Sequence, residues 1–446
     1  MFLATRFAME GSGRMNRGET FSPCHSAVNH KQLCASMGTA ATLSVGKFEV
    51  FVTWNENHVS HGCLFQDDDL KSFAPYESDE PPVERYERPL GTLIGRLELL
   101  GYTIETARAE YTASTLDDIF DPLDITFDEV LEILRTVDLS LLADPPTQIK
   151  PEEIEGNPPV GLFVPIHLQD KILAVRTGWN PFFGRHWDLD ALLEKFGPYT
   201  TLRLLAESPH NAELPVVWDF FGVVSTGWIR RHEISHGLEQ REQYLIVTEG
   251  SSDAYILRKS LDLLRPDVAD YFYFVDMKDN YPFSGTGSLA NFVKGLIKIG
   301  VQNKICVVFD NDTEGVSTMN LCIELPVPKN MRILRLPDLP EFDSFPTIGP
   351  GGRQLVNING LAAAIECYLD LGSDPCVRWT VYKEKMDAYQ GALINKEQYS
   401  KRFYEQRGKT SLYDYSKLNL VLDSIMAACV SMNTPSLPTV RSAIEV

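Results

Sequence analysis

The chain reads as an α/β protein built on a parallel sheet, and three observations predict it. Four short apolar runs, at 244–247, 271–275, 305–309 and 331–336, look like strands buried on both faces. Between them, helical periods appear: Ala254, Leu257, Leu261 and Leu264, then Leu289, Phe292, Val293, Leu296 and Ile297. The first and third runs end abruptly in acidic turns, Thr248-Glu249-Gly250 and Asp310-Asn311-Asp312. Ser251 or Ser252 can cap the helix behind the first turn. Gly315 opens another helix carrying Val316, Met319 and Ile323, so the predicted order is βαβαβαβ.

That order places chemistry at one edge. Ligands of open parallel sheets gather outside the carboxyl ends of the strands. Glu249, Asp276, Asp310 and Asp312 all fall at such ends. Asp310 and Asp312, two apart on an extended turn, point to the same side. Neighbouring carboxylates repel and raise each other's pKa unless positive charge sits between them. The simplest neutraliser is a hard divalent cation, Mg²⁺ or Mn²⁺, which oxygen ligands suit. Such ions bind phosphate oxygens and support phosphodiester chemistry.

Glu249-Gly250-x-x-Asp253 after one strand, and Asp310-x-Asp312-x-x-Gly315 after a later one, resemble the Toprim domain of topoisomerases, primases and OLD-family nucleases. Further stretches (MGTAATLSVGKFEV, LPDLPEFDSFPTIGP, NINGLAAAIECYLDLG and YQGALINK) resemble the bacterial HEPN/Toprim-associated family from Met37 onward. The resemblance implies a Rossmann-like Toprim domain at 241–375, after an α+β N-terminal domain at 37–240. A helical C-terminal region at 376–446 completes the expected architecture. It also implies a Mg²⁺- or Mn²⁺-dependent nuclease, with Glu249, Asp253, Asp310 and Asp312 as metal ligands. Glu249, Asp310 and Asp312 would be the catalytic set. OLD-type enzymes are similar in using a later acidic residue for a second metal, and Glu366, on an apolar helix expected over 361–371, is the candidate; a surface Glu in a salt bridge is the alternative. Nucleic acid is the implied partner, DNA ahead of RNA, with defence against foreign DNA as the setting and a homo-oligomer or operon-encoded partner compatible with it. A strand-passage or primase-like enzyme, or a non-cleaving sensor of nucleic acid or nucleotide, is the alternative.

Composition bounds these readings. With 446 residues, 44% hydrophobic and 10% aromatic, the chain has room for two or three domains with sizeable cores. A net charge of −20 argues against a large basic nucleic-acid cradle. No G-x-x-x-x-G-K-[ST] occurs, which excludes a P-loop ATPase in cis, and no apolar run reaches membrane-spanning length. The eight cysteines include no C-x-x-C, so no zinc ribbon is expected, and a reducing cytoplasm fits. Cys24, His25, His30 and Cys34 fit no standard finger and read as part of an irregular extension over 1–36, a disordered tail or upstream start. Cys306, Cys322 and Cys367 read as core thiols.

The rest of the N-terminal part is expected as a hairpin around Gly46-Lys47, then His58, His61 and Cys63 in a solvated loop. An acidic loop over 66–88 follows, then helices over 90–102 and 104–114. A capping box, Thr126 with Glu129, opens a helix over 130–136, and 144–159 reads as a linker. Helices over 187–196 and 200–207 and a strand at 215–218 complete the domain. Arg231 and His236 fit the R-x4-6-H spacing of HEPN ribonucleases, but lie where no long helix can be argued. Beyond 377, Tyr, Lys and Arg interleave, which suits either single-strand contacts or helix packing.

Overall fold

Ala40–Val45 (β1) and Phe48–Trp54 (β2) reverse antiparallel at Gly46, whose φ of +54° glycine adopts without strain. The computed structural model describes residues 39–55, 57–74, 82–117, 125–142, 161–173, 187–239, 241–275, 286–409 and 412–433. Within it, Ala40–Val446 form one compact unit. The expectations for residues 1–36, with their cysteines and histidines, for 144–159 and for Asp276 lie outside the described residues.

The segment expected as an acidic loop instead supplies Leu70–Phe73 (β3) and Val83–Pro89 (β4), paired antiparallel. The reason is burial that its charges mask: Val83 and Tyr86 are buried, and so is Arg88, which pairs with Asp69 at 3.1 Å. Ile94–Leu100 (α1), Ile104–Asp117 (α2) and Phe127–Leu134 (α3) follow. Thr126 and Glu129 cap α3 reciprocally, at 3.3 and 2.7 Å, as the capping box predicts. Ile166–Leu173 (α4), Trp187–Leu193 (α5) and Pro198–Leu205 (α6) lead into Pro215–Asp219 (β5). Phe221–Ser225 (α7) ends this part. The sheet order is β2-β1-β5-β4-β3, antiparallel throughout. Leu43, Tyr86, Trp218 and the inner faces of α3, α5 and α6 share its core.

The second sheet is parallel, as expected. Tyr244–Thr248 (β6) leads into Ser251–Leu264 (α8), and Phe272–Phe274 (β7) precedes Thr286–Ile299 (α9). Lys304–Phe309 (β8), the short Asn311–Asp312 (β9), Thr313–Ile323 (α10) and Met331–Arg335 (β10) complete the alternation. The order is β10-β8-β6-β7. Chain progression therefore reverses between β6 and β8, and a ligand crevice opens at such a switch point. Both faces are covered. Ile305, Val307 and Phe309 of β8 pack with α9 residues such as Val293, while Cys306 and Val308 share a core with α8 and the C-terminal Leu418. Cys306, Cys322 and Cys367 are buried thiols, as the apolar pattern indicated.

The C-terminal region is a correction. Expected to be helical over 376–446, it opens instead with Val377–Lys383 (β14) and Ala388–Leu393 (β15), which join Phe345–Gly349 (β11) and Gly352–Val356 (β12) in a mixed sheet ordered β12-β11-β14-β15. Between them Ala362–Ala363 (β13) pairs with β9. Lys396–Tyr404 (α11) and Ser416–Val430 (α12) then provide the helices. Val377, Trp379 and Val381 alternate along the run from Val377 to Lys383 as a strand requires, and the basic Arg378 and Lys383 sit on either side of Trp379 and Val381.

Candidate active site at the strand-end carboxylates

β6 and β8 are in register with Thr248 opposite Val308, so Glu249 and Asp310 leave the ladder side by side. The Asp310 amide donates to Glu249 Oε1 at 3.2 Å. Asp253, in the first turn of α8, accepts the Gly250 amide at 3.0 Å and the Ser252 hydroxyl at 3.1 Å. Asp312 caps α10 by accepting the Gly315 amide at 2.7 Å. A side chain at Gly315 would place its Cβ 2.3 Å from the Asp310 carbonyl and 3.0 Å from Glu249 Oε1. That approach is why glycine follows the Asp pair at this spacing.

The structure thus brings Glu249, Asp253, Asp310 and Asp312 to one edge, each only partly exposed. Burial, followed by the charge of Asp312, pushes Glu249 up to about 8. Burial and then Glu366 raise Asp253 to about 6. Asp310 is held well above the usual carboxylate range by burial and by Asp253, Glu249, Asp312 and Glu366 together. Asp312 is raised by burial, although the amides at the start of α10 oppose the shift. Each carboxylate also keeps an amide or hydroxyl partner of its own. Among the described residues, no three His, Cys, Asp or Glu side chains are grouped closely enough to hold a metal ion as they stand.

Glu366 belongs to the same neighbourhood, but on a different element from the one expected. Residues 361–371 are not a helix; the strand pair β9–β13 and a short 3-10 turn, Ile365–Tyr368, take their place. A segment buried on every side gives an apolar run without a reliable period, so spacing could not separate the two. The turn aims the Ile365 amide at Asp310 Oδ1, 3.0 Å away, and buries Glu366 to 5% exposure. Lys396 Nζ lies 3.5 Å from Glu366. Glu366 is therefore both salt-bridged and turned inward, not a surface residue.

Sequence reasoning missed three participants. Gln390 on β15 donates to Asp312 Oδ2 at 3.0 Å. The Thr313 hydroxyl lies 3.1 Å from the carbonyls of both Leu361 and Tyr389, pinning β15 to the start of α10. Lys396 is the third. Only the contact of the mixed sheet with the Asp turn reveals them; no local motif does.

Residues 37–242 match the family model described as HEPN/Toprim N-terminal domain 1. That match supports the HEPN/Toprim-associated family. It suggests a nuclease-like or Toprim-associated function for a chain whose second half carries the carboxylate edge. No curated protein and no solved structure matches. Among the described residues no helix is long and apolar enough to cross a membrane.

Inside the matched region, the expected solvated loop is corrected. His61 is buried, with Nδ1 3.0 Å from the Tyr199 hydroxyl, and burial together with His58 lowers it to about 4. Cys63 Sγ lies 3.5 Å from the same hydroxyl, and burial pushes the thiol up to about 11. His58 stacks on Trp218 with ring centroids 5.6 Å apart. These side chains pack a core, so their polar spacing misled. Arg231 begins a 3-10 turn and is ion-paired with Glu84. His236 meets the Tyr86 hydroxyl at 3.2 Å and is paired with Asp67. Both members of the R-x4-H spacing are thereby engaged with the N-terminal sheet.

Proposed function

We propose that the carboxylate edge is the Toprim-type active site of a Mg²⁺- or Mn²⁺-dependent nuclease. The observation that carries this reading is the arrival of Glu249, Asp310 and Asp312 at one strand-end edge, at the switch point between β6 and β8, with Asp253 and Glu366 beside them. The donor set fits a hard divalent cation, since every donor is a carboxylate oxygen and their proton affinities are raised by burial and then by one another. Glu249, Asp253, Asp310, Asp312 and Glu366 would hold one or two such ions. When bound, the ion supplies charge neutralisation at the phosphate and lowers the pKa of water.

The chain's own groups do the rest. Glu249, held protonated by burial and by Asp312, would give up that proton when a cation binds and could then accept one from an attacking water. The N-termini of α8 and α10 open toward the same edge, where the helix dipole favours a phosphate. Gln390 and Lys396 orient Asp312 and Glu366. DNA is placed ahead of RNA as substrate, and defence against foreign DNA is the setting that the family resemblance supports. A non-cleaving sensor is favoured by one observation, that the carboxylates keep separate partners instead of converging on one point.

Incubation of plasmid, linear DNA and RNA with Mg²⁺, Mn²⁺ or EDTA separates the two. The expected result is metal-dependent cleavage that falls at least about 100-fold in Asp310→Asn and in Asp312→Asn. A parent that cuts nothing, or variants that cut as well as the parent, would overturn the nuclease reading.

A further inference from the structure

A cleft of about 630 Å³ lies beside the carboxylate edge, between the turn joining β11 to β12 and the hairpin of β14 and β15. Its walls carry three aromatic rings, Trp379, Tyr382 and Tyr389. The Tyr382 and Tyr389 rings lie 5.0 Å apart, and Trp379 and Tyr389 lie 6.5 Å apart. Tyr382 and Tyr389 are 45% and 48% exposed, large apolar surface left open to solvent. The opposite wall is a glycine turn. A Cβ on Gly349 would come 3.0 Å from Trp379 Cδ1, so the missing side chain is what leaves space over the indole. Gly352, at φ +88°, makes the reversal that a bulkier residue would strain.

This cleft is joined to the carboxylates through the backbone. Leu361 lines the cleft and is bridged to Asp312, and Gln390, next to Tyr389 on the other face of β15, donates to Asp312 at 3.0 Å. The Tyr389 carbonyl lies 3.1 Å from the hydroxyl of Thr313, the residue after Asp312. Resting on the nuclease reading above, we propose that the cleft stacks an unpaired nucleobase next to the phosphate held at the carboxylate edge, so the preferred substrate is single-stranded or splayed nucleic acid. The volume suits a planar heterocycle within the usual range of ligand pockets. Gln354 in the lining offers an amide to the edge of such a ring, and Asp387 accepts the Tyr382 hydroxyl. A chain of net charge −20 cannot rely on phosphate contacts, whereas stacking on aromatic faces is independent of charge. A base within a duplex has both faces covered by its neighbours, so only an unpaired or extruded base can enter.

The test is binding of the full chain in EDTA, read by the fluorescence of 2-aminopurine placed in a short oligonucleotide, DNA and RNA in parallel. The single strand is expected to bind at least about 5-fold more tightly than the same strand with abasic positions, and more tightly than a blunt duplex. Tyr389→Leu, at an exposed ring, should weaken single-strand binding at least about 5-fold while leaving the thermal midpoint in place. Equal affinity for abasic and base-bearing strands, or unchanged binding by a folded Tyr389→Leu, would overturn the proposal. The outcome is separable from the nuclease reading. A parent that cleaves without any preference for unpaired bases removes the cleft alone. A parent that stacks bases but never cleaves keeps the cleft and removes the nuclease.

Discussion

Arg96 and Asp310 both carry ionisable groups enclosed by protein, and their surroundings treat them in opposite ways. Arg96 is fully buried where the five-stranded sheet meets the parallel one. Its guanidinium donates to both Asp270 oxygens at 2.7 and 2.9 Å, to the Asp267 carbonyl at 2.9 Å and to the Cys63 carbonyl at 2.8 Å. The Tyr271 ring lies under it at 4.7 Å. Nearby, the Tyr244 hydroxyl donates to the Leu99 carbonyl at 2.6 Å. Around Asp310 the charges that raise it are all carboxylates, and the Lys396 cation pairs with Glu366 and partly offsets the shift of Asp253. The seam is therefore a completed ion pair with every neighbour committed. The edge is an incomplete one. Charge that is neutralised in place holds structure together, whereas charge left mutually repelled stores affinity for a cation from outside.

The largest effect expected from breaking this contrast is at the seam. Arg96→Ala would remove the guanidinium from Asp270 and from the carbonyls of Cys63, Phe65 and Asp267, leaving Gln66 on Asp270, Tyr271 on Cys63 and Arg88 on Asp267. Since Asp270 is partly exposed and water can replace some of the loss, the cost should be about 3 kcal/mol, read from the urea midpoint. A loss under about 1 kcal/mol would show that the seam does not depend on this pair. Asp310→Asn should have the opposite sign or none, because it relieves repulsion.

A smaller effect is expected from pH. Glu249 has a folded pKa of about 8 against an ordinary value of 4.5, so the native state holds this proton more firmly than the unfolded one. The stabilisation is full below about 4.5 and is lost as pH rises through about 8. Without divalent cations, the thermal midpoint of the parent should therefore fall between pH 5 and pH 8 relative to Glu249→Gln, which lacks the titration. Parallel pH profiles for the two proteins would contradict the assignment.

The two regions also differ in how far the sequence discloses them. The parallel sheet and its acids were legible because each strand is a continuous apolar run and each acid follows one directly. Glu366 was legible as a residue but not as a position, since an apolar segment enclosed on all sides has no face from which a period could be read. Gln390, Thr313 and Lys396 left no local signal; they reach the edge only because β15 and α11 fold back across it. The seam was invisible for the same reason: Arg96 and Asp270 are 174 residues apart, and nothing near either one names the other. His61 and Cys63 show the converse error, in which polar residues read as solvated loop are core, with His61 kept neutral by burial.

The central claim, that the edge is held uncompensated for a divalent cation, is tested most directly by calorimetric titration of Mn²⁺ into the full chain at pH 7. Running it in two buffers of different ionisation heat counts the protons exchanged. The account predicts saturable binding with net proton release, because Glu249 at about 8 is mostly protonated before the ion arrives, and no such binding in Asp310→Asn. Absence of binding by the parent, binding without proton release, or equal binding by Asp310→Asn would contradict it.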